Sequence, residues 1–326
     1  MAKISCLKAI NLACHEEFAR DPKVITIGES VGKKGGAWGY FAGLTDKFGE
    51  NRTLEMPIVE SAFCAFACGA TLAGWRPIVE FMFADFVTLG LENILNMAPK
   101  QRYNSAGKNS CPIVYMLPQG GGMSGCQHSQ SVEAWMSNVP GIKIVAPTFP
   151  GDTKKYLQAS IRDDDPVVFL FQRTSFGLSE EVPDDLAVPE NLLNASKVVK
   201  EGKDVTIVAY HRALLNCIKA AEEVEKEQGI SVEIIDPIVL RPLDISKMVA
   251  SVKKTGKCLI VHEAYKIGGF GMQISAEIAE NALSDLKKPI VRLGGKEQPI
   301  PFGIAGEKYM YPSIAEIKEE IIKLAK

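Results

Sequence analysis

The sequence predicts an α/β protein made of two doubly wound domains on mainly parallel sheets. Short β-branched runs alternate with longer segments of helical spacing from one end of the chain to the other. The alternation pauses once, in the acidic, proline-containing stretch Glu180–Ala195, and then restarts. The chain has 326 residues, which is room for two domains of ordinary size. We therefore expect a first domain over 1–180, a linker over 181–203 and a second domain over 204–326.

In order, Ser5–Ala19 has the spacing of a first helix and Val24–Ile27 reads as a strand ending at Gly28. Val59–Gly74, dense in Ala, Cys and Gly, reads as a closely packed helix. Pro77–Met82 is a strand, followed by a helix around Phe86–Met97. Ile113–Met116, Lys143–Val145 and Val167–Phe171 are further buried strands. Asp152–Arg162 is the crossover helix between the last two, with Asp152 or Thr153 as its N-cap. In the second half, strands at Val205–Tyr210, Val232–Ile235, Cys258–Val261 and Ile290–Leu293 alternate with helices at Ala213–Glu227, Ile245–Lys254, Met272–Ala282 and Ser313–Ala325. Ligands of such sheets sit beyond the carboxyl ends of the strands, so the loops there are where chemistry is expected.

The net charge of −2 supplies no basic excess to neutralise phosphates, which excludes nucleic acid as the main partner. No apolar run reaches eighteen residues and the start lacks the pattern of a signal peptide, so a cytoplasmic protein without a membrane span is expected. The 8 cysteines include no Cys-x-x-Cys pair and read as reduced thiols used as small core residues. Gly268-Gly269-Phe270-Gly271 lacks the third glycine of a dinucleotide fingerprint. Gly120–Gly125 is glycine-rich but has no phosphate-loop lysine.

Three segments carry residues suited to chemistry. Glu60, in Met56-Pro57-Ile58-Val59-Glu60, puts a carboxylate at the start of an apolar helix, where it could serve either the helix dipole or a reaction. Glu80–Phe86 sets several aromatics beside a strand end. Gln127-His128-Ser129-Gln130 places a histidine in a loop after a strand. Taken as an ordered set, with Pro140-Gly141-Ile142-Lys143-Ile144-Val145-Ala146-Pro147 after them, these segments resemble the β subunits of the E1 components of 2-oxo acid dehydrogenases (pyruvate, acetoin and branched-chain types). The likeness starts at Ile27-Gly28-Glu29-Ser30-Val31-Gly32 and includes Ile161-Arg162-Asp163-Asp164-Asp165-Pro166. It runs on through Pro242-Leu243-Asp244 and His262-Glu263-Ala264.

The resemblance implies a transketolase-like pyrimidine-binding domain followed by a transketolase C-terminal domain. It implies thiamine diphosphate as cofactor, with Glu60 facing N1′ of its aminopyrimidine, Phe86 packed on that ring, Met82 and Ile58 lining the pocket and Glu29 at its edge. A glutamate in an apolar pocket can stay protonated for such a role. His128 would point at the reacting centre and stabilise charge or move a proton. The implied reaction is oxidative decarboxylation of a small 2-oxo acid with acyl transfer to the lipoyl group of an E2 acyltransferase. Enzymes of this class hold Mg²⁺ and diphosphate with Gly-Asp-Gly and a later asparagine, whereas this chain offers only Gly151-Asp152-Thr153. That half of the site is therefore expected on a separate E1 α subunit, in an α₂β₂ heterotetramer. Some relatives also hold K⁺, which the resemblance would put near Ile113, Ser160, Ile161, Asp163 and Asp165. The same acidic run also reads as a solvated turn.

The family pattern breaks at Met56, Glu92-Asn93, Met116, Phe171 and Ile238-Val239, which bears on substrate choice and docking rather than on Glu60, Phe86 or His128. The C-terminal subunit of a split transketolase and a non-catalytic scaffold that docks E2 stay open as alternatives.

Overall fold

The computed structural model describes residues 1–184 and 186–326. The chain divides into two compact units. The first comprises Met1–Gln119 and Trp135–Leu193, and the second comprises Gly120–Ala134 and Asn194–Lys326.

In the first unit six strands lie side by side in the order Lys143–Val145, Val167–Gln172, Val114–Gln119, Arg76–Glu80, Val24–Gly28, Thr53–Glu55, and every neighbouring pair is parallel. Val24–Gly28, Val114–Gln119 and Val167–Gln172 are buried along their whole length, which is why they read as continuous apolar runs rather than alternating ones. Each fully buried Val, Ile, Leu or Phe contributes about 1.5–3 kcal/mol of transfer free energy. A separate antiparallel pair joins Ala2–Ser5 to Ser179–Val182. Ser5 caps the helix Cys6–Arg20 by accepting from the Lys8 amide at 3.1 Å.

The helix expected over Phe86–Met97 is broken. A 3₁₀ turn (Ala84–Phe86) leads into one α-helical turn and a half (Val87–Leu91), then a π-helical turn (Glu92–Met97) and another 3₁₀ turn. The segment is closely packed at Gly90, where a Cβ would stand 2.9 Å from Cys64 Sγ and 3.1 Å from the Phe81 ring. The crossover helix starts earlier than expected, at Pro150, with Phe149 as N-cap. Asp152 falls in its first turn, where it still complements the helix dipole.

The second unit holds a five-stranded sheet in the order Val291–Gly295, Cys258–Tyr265, Val205–Ala209, Val232–Asp236, Lys197–Lys200. All its pairs are parallel except the last. The capping box foreseen only as a helix start at Ser313 is complete, with the Ser313 and Glu316 side chains satisfying each other's backbone amides. The stretch 181–203 is not uniformly a linker. Its start belongs to the strand Ser179–Val182, and Lys197–Lys200 is already the edge strand of the second sheet. Its Asp185 lies outside the described residues. The excursion Gly120–Ala134 belongs with the second unit, although it follows directly on a strand of the first.

No described helix is long and apolar enough to cross a membrane. All 8 cysteines are free thiols and all but Cys126 are buried.

Candidate active site

In the first unit the parallel pairing of Arg76–Glu80 with Val24–Gly28, and of Val24–Gly28 with Thr53–Glu55, sets three carboxyl ends side by side. Glu80 closes the first of these strands, Glu29 follows the second, and Glu60 follows the third across a short loop. The Met56 amide donates to the Gly28 carbonyl at 2.9 Å, which ties that loop to the neighbouring strand end.

Glu60 is the first residue of the helix Glu60–Leu72 and is 6% exposed. Among the described residues nothing donates a hydrogen bond to its carboxylate. Its oxygens are not among the fully buried ones, so water or an incoming group can meet them although the rest of the side chain is covered. Glu29 is half-buried, and burial together with the charge of Glu60 holds its carboxyl above the usual range.

Glu80, which the sequence offered only as part of a motif, proves to be the most constrained acid here. One carboxylate oxygen accepts from the Tyr40 hydroxyl at 2.7 Å and from the Ala37 amide at 2.8 Å. The other is buried without a partner. Burial pushes its carboxyl up to about 7, against the pull of those two hydrogen bonds, and the charge of Glu29 adds to the rise. Gly36, at φ +88, lets the backbone come close, since a Cβ there would lie 2.9 Å from Glu80 Oε1.

Of the apolar candidates, Met82 and Phe86 are half-buried whereas Ile58 is largely exposed. Trp38 Nε1 donates to the Met82 carbonyl at 2.9 Å, and Phe86 meets Phe83 edge-on at 5.8 Å between ring centroids.

His128 lies in the second unit, half-buried, in the excursion Gly120–Ala134. Its amide donates to the Gly125 carbonyl at 3.4 Å, and the Gly120 amide donates to the Gln130 carbonyl at 3.1 Å, closing a loop around it. Below it, Tyr210 donates a 2.6 Å hydrogen bond to buried Glu133.

Of the residues expected around a potassium ion, several have groups that the chain itself already engages. The Arg76 guanidinium donates to the Ile161 carbonyl at 3.0 Å, to the Asp163 carbonyl at 2.6 Å and to the Asp164 carboxylate at 2.9 Å. Lys143 Nζ lies 2.6 Å from both Asp163 carboxylate oxygens, Arg102 pairs with Asp165 at 2.7 Å, and the Ile113 carbonyl accepts from the Val167 amide at 2.8 Å. Ser160 Oγ donates to the Tyr156 carbonyl at 2.7 Å, within its own helix. Side-chain cations thus already meet part of this set: Arg76 at the Ile161 and Asp163 carbonyls, and Lys143 and Arg102 at the Asp163 and Asp165 carboxylates. Among the described residues no cluster of three or more His, Cys, Asp or Glu could hold a metal.

Residues 2–177 match the transketolase pyrimidine-binding domain and residues 194–317 match the transketolase C-terminal domain. The chain is 41% identical over its whole length to the 2-oxoisovalerate dehydrogenase subunit beta of Bacillus subtilis, covering 99% of that protein. It is 42% identical over 92% of its length to the mitochondrial pyruvate dehydrogenase E1 component subunit beta of Dictyostelium discoideum, covering 85% of it. Among solved structures, a split gene transketolase described as an inactive beta4 tetramer superposes with a TM-score of 0.77 at 24% identity, over 99% of this chain and 98% of that one. That last likeness concerns the fold alone. Full-length identity to the dehydrogenase subunits, joined to the two domain matches, makes this chain a member of the transketolase-type β subunits of 2-oxo acid dehydrogenase E1 components.

Proposed function

We propose that this chain is the β half of a thiamine-diphosphate-dependent E1 enzyme that decarboxylates a small 2-oxo acid and passes the acyl group to a lipoyl arm of an E2 acyltransferase. The observation that carries the reading is Glu60, a carboxylate 6% exposed and without a hydrogen-bond donor, held at a strand end beside Glu29. A carboxylate so covered, with its oxygens still reachable and not engaged by the chain, suits a ring nitrogen brought by a cofactor.

When bound, thiamine diphosphate supplies a carbon nucleophile and an electron sink for loss of carbon dioxide. Glu60 would hold a proton at N1′ of the aminopyrimidine. Burial and the charge of Glu60 raise the neighbouring Glu29 carboxyl, which favours its protonated form at the pocket edge. Met82 and Phe86 would wall the ring and exclude water, with exposed Ile58 at the rim. His128 would donate to, or take a proton from, the substrate's oxygen during decarboxylation and acyl transfer.

The chain has no Gly-Asp-Gly segment for a diphosphate and Mg²⁺, which supports a separate α subunit as their holder and an α₂β₂ assembly. At two of the carbonyls named for a potassium ion, those of Ile161 and Asp163, the Arg76 guanidinium supplies a cation from the chain itself.

Two measurements test the reading. Calorimetric titration with thiamine diphosphate and Mg²⁺ should give tight binding only when the α chain is present, and tight binding by this chain alone would overturn the division of the site. In the assembled enzyme Glu60→Gln should lower the decarboxylation rate by about 100-fold or more. Unchanged activity would favour a scaffold role instead.

A further inference from the structure

We propose that Glu307 is a positioning residue for His128 and acts by holding the glycine-rich loop that carries it. The proposal rests on the reading of His128 given above.

The loop is held only in part by its own hydrogen bonds, such as those from the Gly120 amide to the Gln130 carbonyl and from Ser124 Oγ to the Gly122 carbonyl. Gly120, Gly122 and Gly125 have φ of +78, +150 and +80, and Met123 between them has φ +60. A glycine-rich run of this kind loses much conformational freedom on ordering, about 1–2 kcal/mol per residue, and needs an outside anchor. Glu307 is that anchor. It stands in the helix Ile304–Met310 and is 5% exposed. The Gly122 and Met123 amides converge on its Oε2 at 3.0 and 2.5 Å. Two successive backbone amides turned toward one point form a cradle for an anion, and here a carboxylate of the chain itself fills it. The fit is tight, since a Cβ on Gly121 would lie 2.1 Å from Glu307 Oε1.

That second oxygen faces the Arg212 guanidinium at 3.3 Å, and Arg212 also pairs with Glu263 at 3.7 Å and lies over the Tyr311 ring at 5.4 Å. Tyr311, four residues beyond Glu307, donates its hydroxyl hydrogen to the Ser129 carbonyl at 3.2 Å. His128 is therefore bracketed. Glu307 fixes the chain before it and Tyr311 fixes the residue after it, both from one segment of the second unit.

A histidine that acts on a reacting atom is sensitive to placement, and an error of about 1 Å costs on the order of 100-fold in rate. In the assembled α/β enzyme Glu307→Ala should therefore lower kcat by about 10- to 100-fold with little change in KM. Glu307→Gln, which keeps an oxygen for the two amides, should retain most of the rate. Amide hydrogen exchange over residues 120–128 should quicken by about tenfold or more in Glu307→Ala and stay near wild type in Glu307→Gln. The double variant His128→Ala/Glu307→Ala should be no slower than His128→Ala alone. Multiplying losses in the double variant, or unaltered exchange in Glu307→Ala, would overturn the positioning role while leaving His128 as an active residue. Full activity in His128→Ala would overturn the reading of His128 and the proposal with it, and the exchange data would then still report whether Glu307 anchors the loop.

Discussion

Tyr40 donates a 2.7 Å hydrogen bond to Glu80 while the other oxygen of that carboxylate is buried without a partner. Burial outweighs the pull of that hydrogen bond, so Glu80 binds its proton more tightly in the folded chain than in the unfolded one, with the carboxyl moved from 4.5 to about 7. Between those values the native state holds the extra proton. The contribution of this group is therefore fully present below about 4.5 and is lost as pH rises through about 7. The loss is on the order of 3 kcal/mol at most. Glu80→Gln removes it, so the variant should gain on the wild type in denaturant midpoint as pH rises from 5 to 8. A gap between the two that does not change with pH would contradict this.

His262 shows the opposite sign. Its Nδ1 lies 3.0 Å from the Ala264 carbonyl, its Nε2 is buried without a partner, and burial lowers it from 6.5 to about 4. The unfolded chain takes up the proton first, so this contribution is present above about 6.5 and is lost as pH falls through about 4. The stability of His262→Gln should fall less steeply than that of the wild type over the same interval, read from urea unfolding at stepped pH.

The ring of His262 also occupies space that glycines leave. A Cβ on Gly271 would lie 2.5 Å from His262 Nε2 and 3.2 Å from Ile260 Cγ2. Gly271→Ala should cost about 1–3 kcal/mol through overpacking, although alanine is the better helix former. An unchanged melting midpoint would show that the ring can move aside.

Arg76 offers a test of the cation it stands in for. Its guanidinium serves two carbonyls and one carboxylate, so Arg76→Met leaves those acceptors without it and should destabilise the first unit by about 2–4 kcal/mol. Replacing K⁺ by Na⁺ should leave the wild-type melting midpoint unchanged. A potassium-specific rise in that midpoint would mean that the ion and the guanidinium share the carbonyls.

The fold was legible in the sequence wherever an element is buried on both faces, because strands such as Val167–Gln172 leave an unbroken apolar signature. Edge strands were not. Lys197–Lys200 is a four-residue strand with a lysine at each end, and its pairing depends on a partner more than thirty residues away. The broken helix after Phe86 was hidden because 3₁₀, α- and π-helical turns share nearly the same apolar spacing, so the sequence pattern does not separate them. Of the candidate residues, Glu29, Glu60, Met82, Phe86 and His128 stand in contiguous motifs, so the sequence alone could propose them. Glu80 and Glu307 could not be singled out, because their meaning lies in partners 40 and 185 residues distant. One signal for Glu80 was available, a carboxylate closing a buried strand of a parallel sheet.

The excursion Gly120–Ala134 also sets a timetable for synthesis. Its anchor is encoded 185 residues downstream of Gly122, so a ribosome working at about 5–20 residues per second makes it wait about 10–40 s. The strands on either side of the excursion can pair during that interval, while the stretch bearing His128 hangs as an open tether until the last quarter of the chain emerges. Premature termination before Glu307 would leave the loop with its internal hydrogen bonds and the Tyr210 contact to Glu133, but without the carboxylate that gathers the Gly122 and Met123 amides.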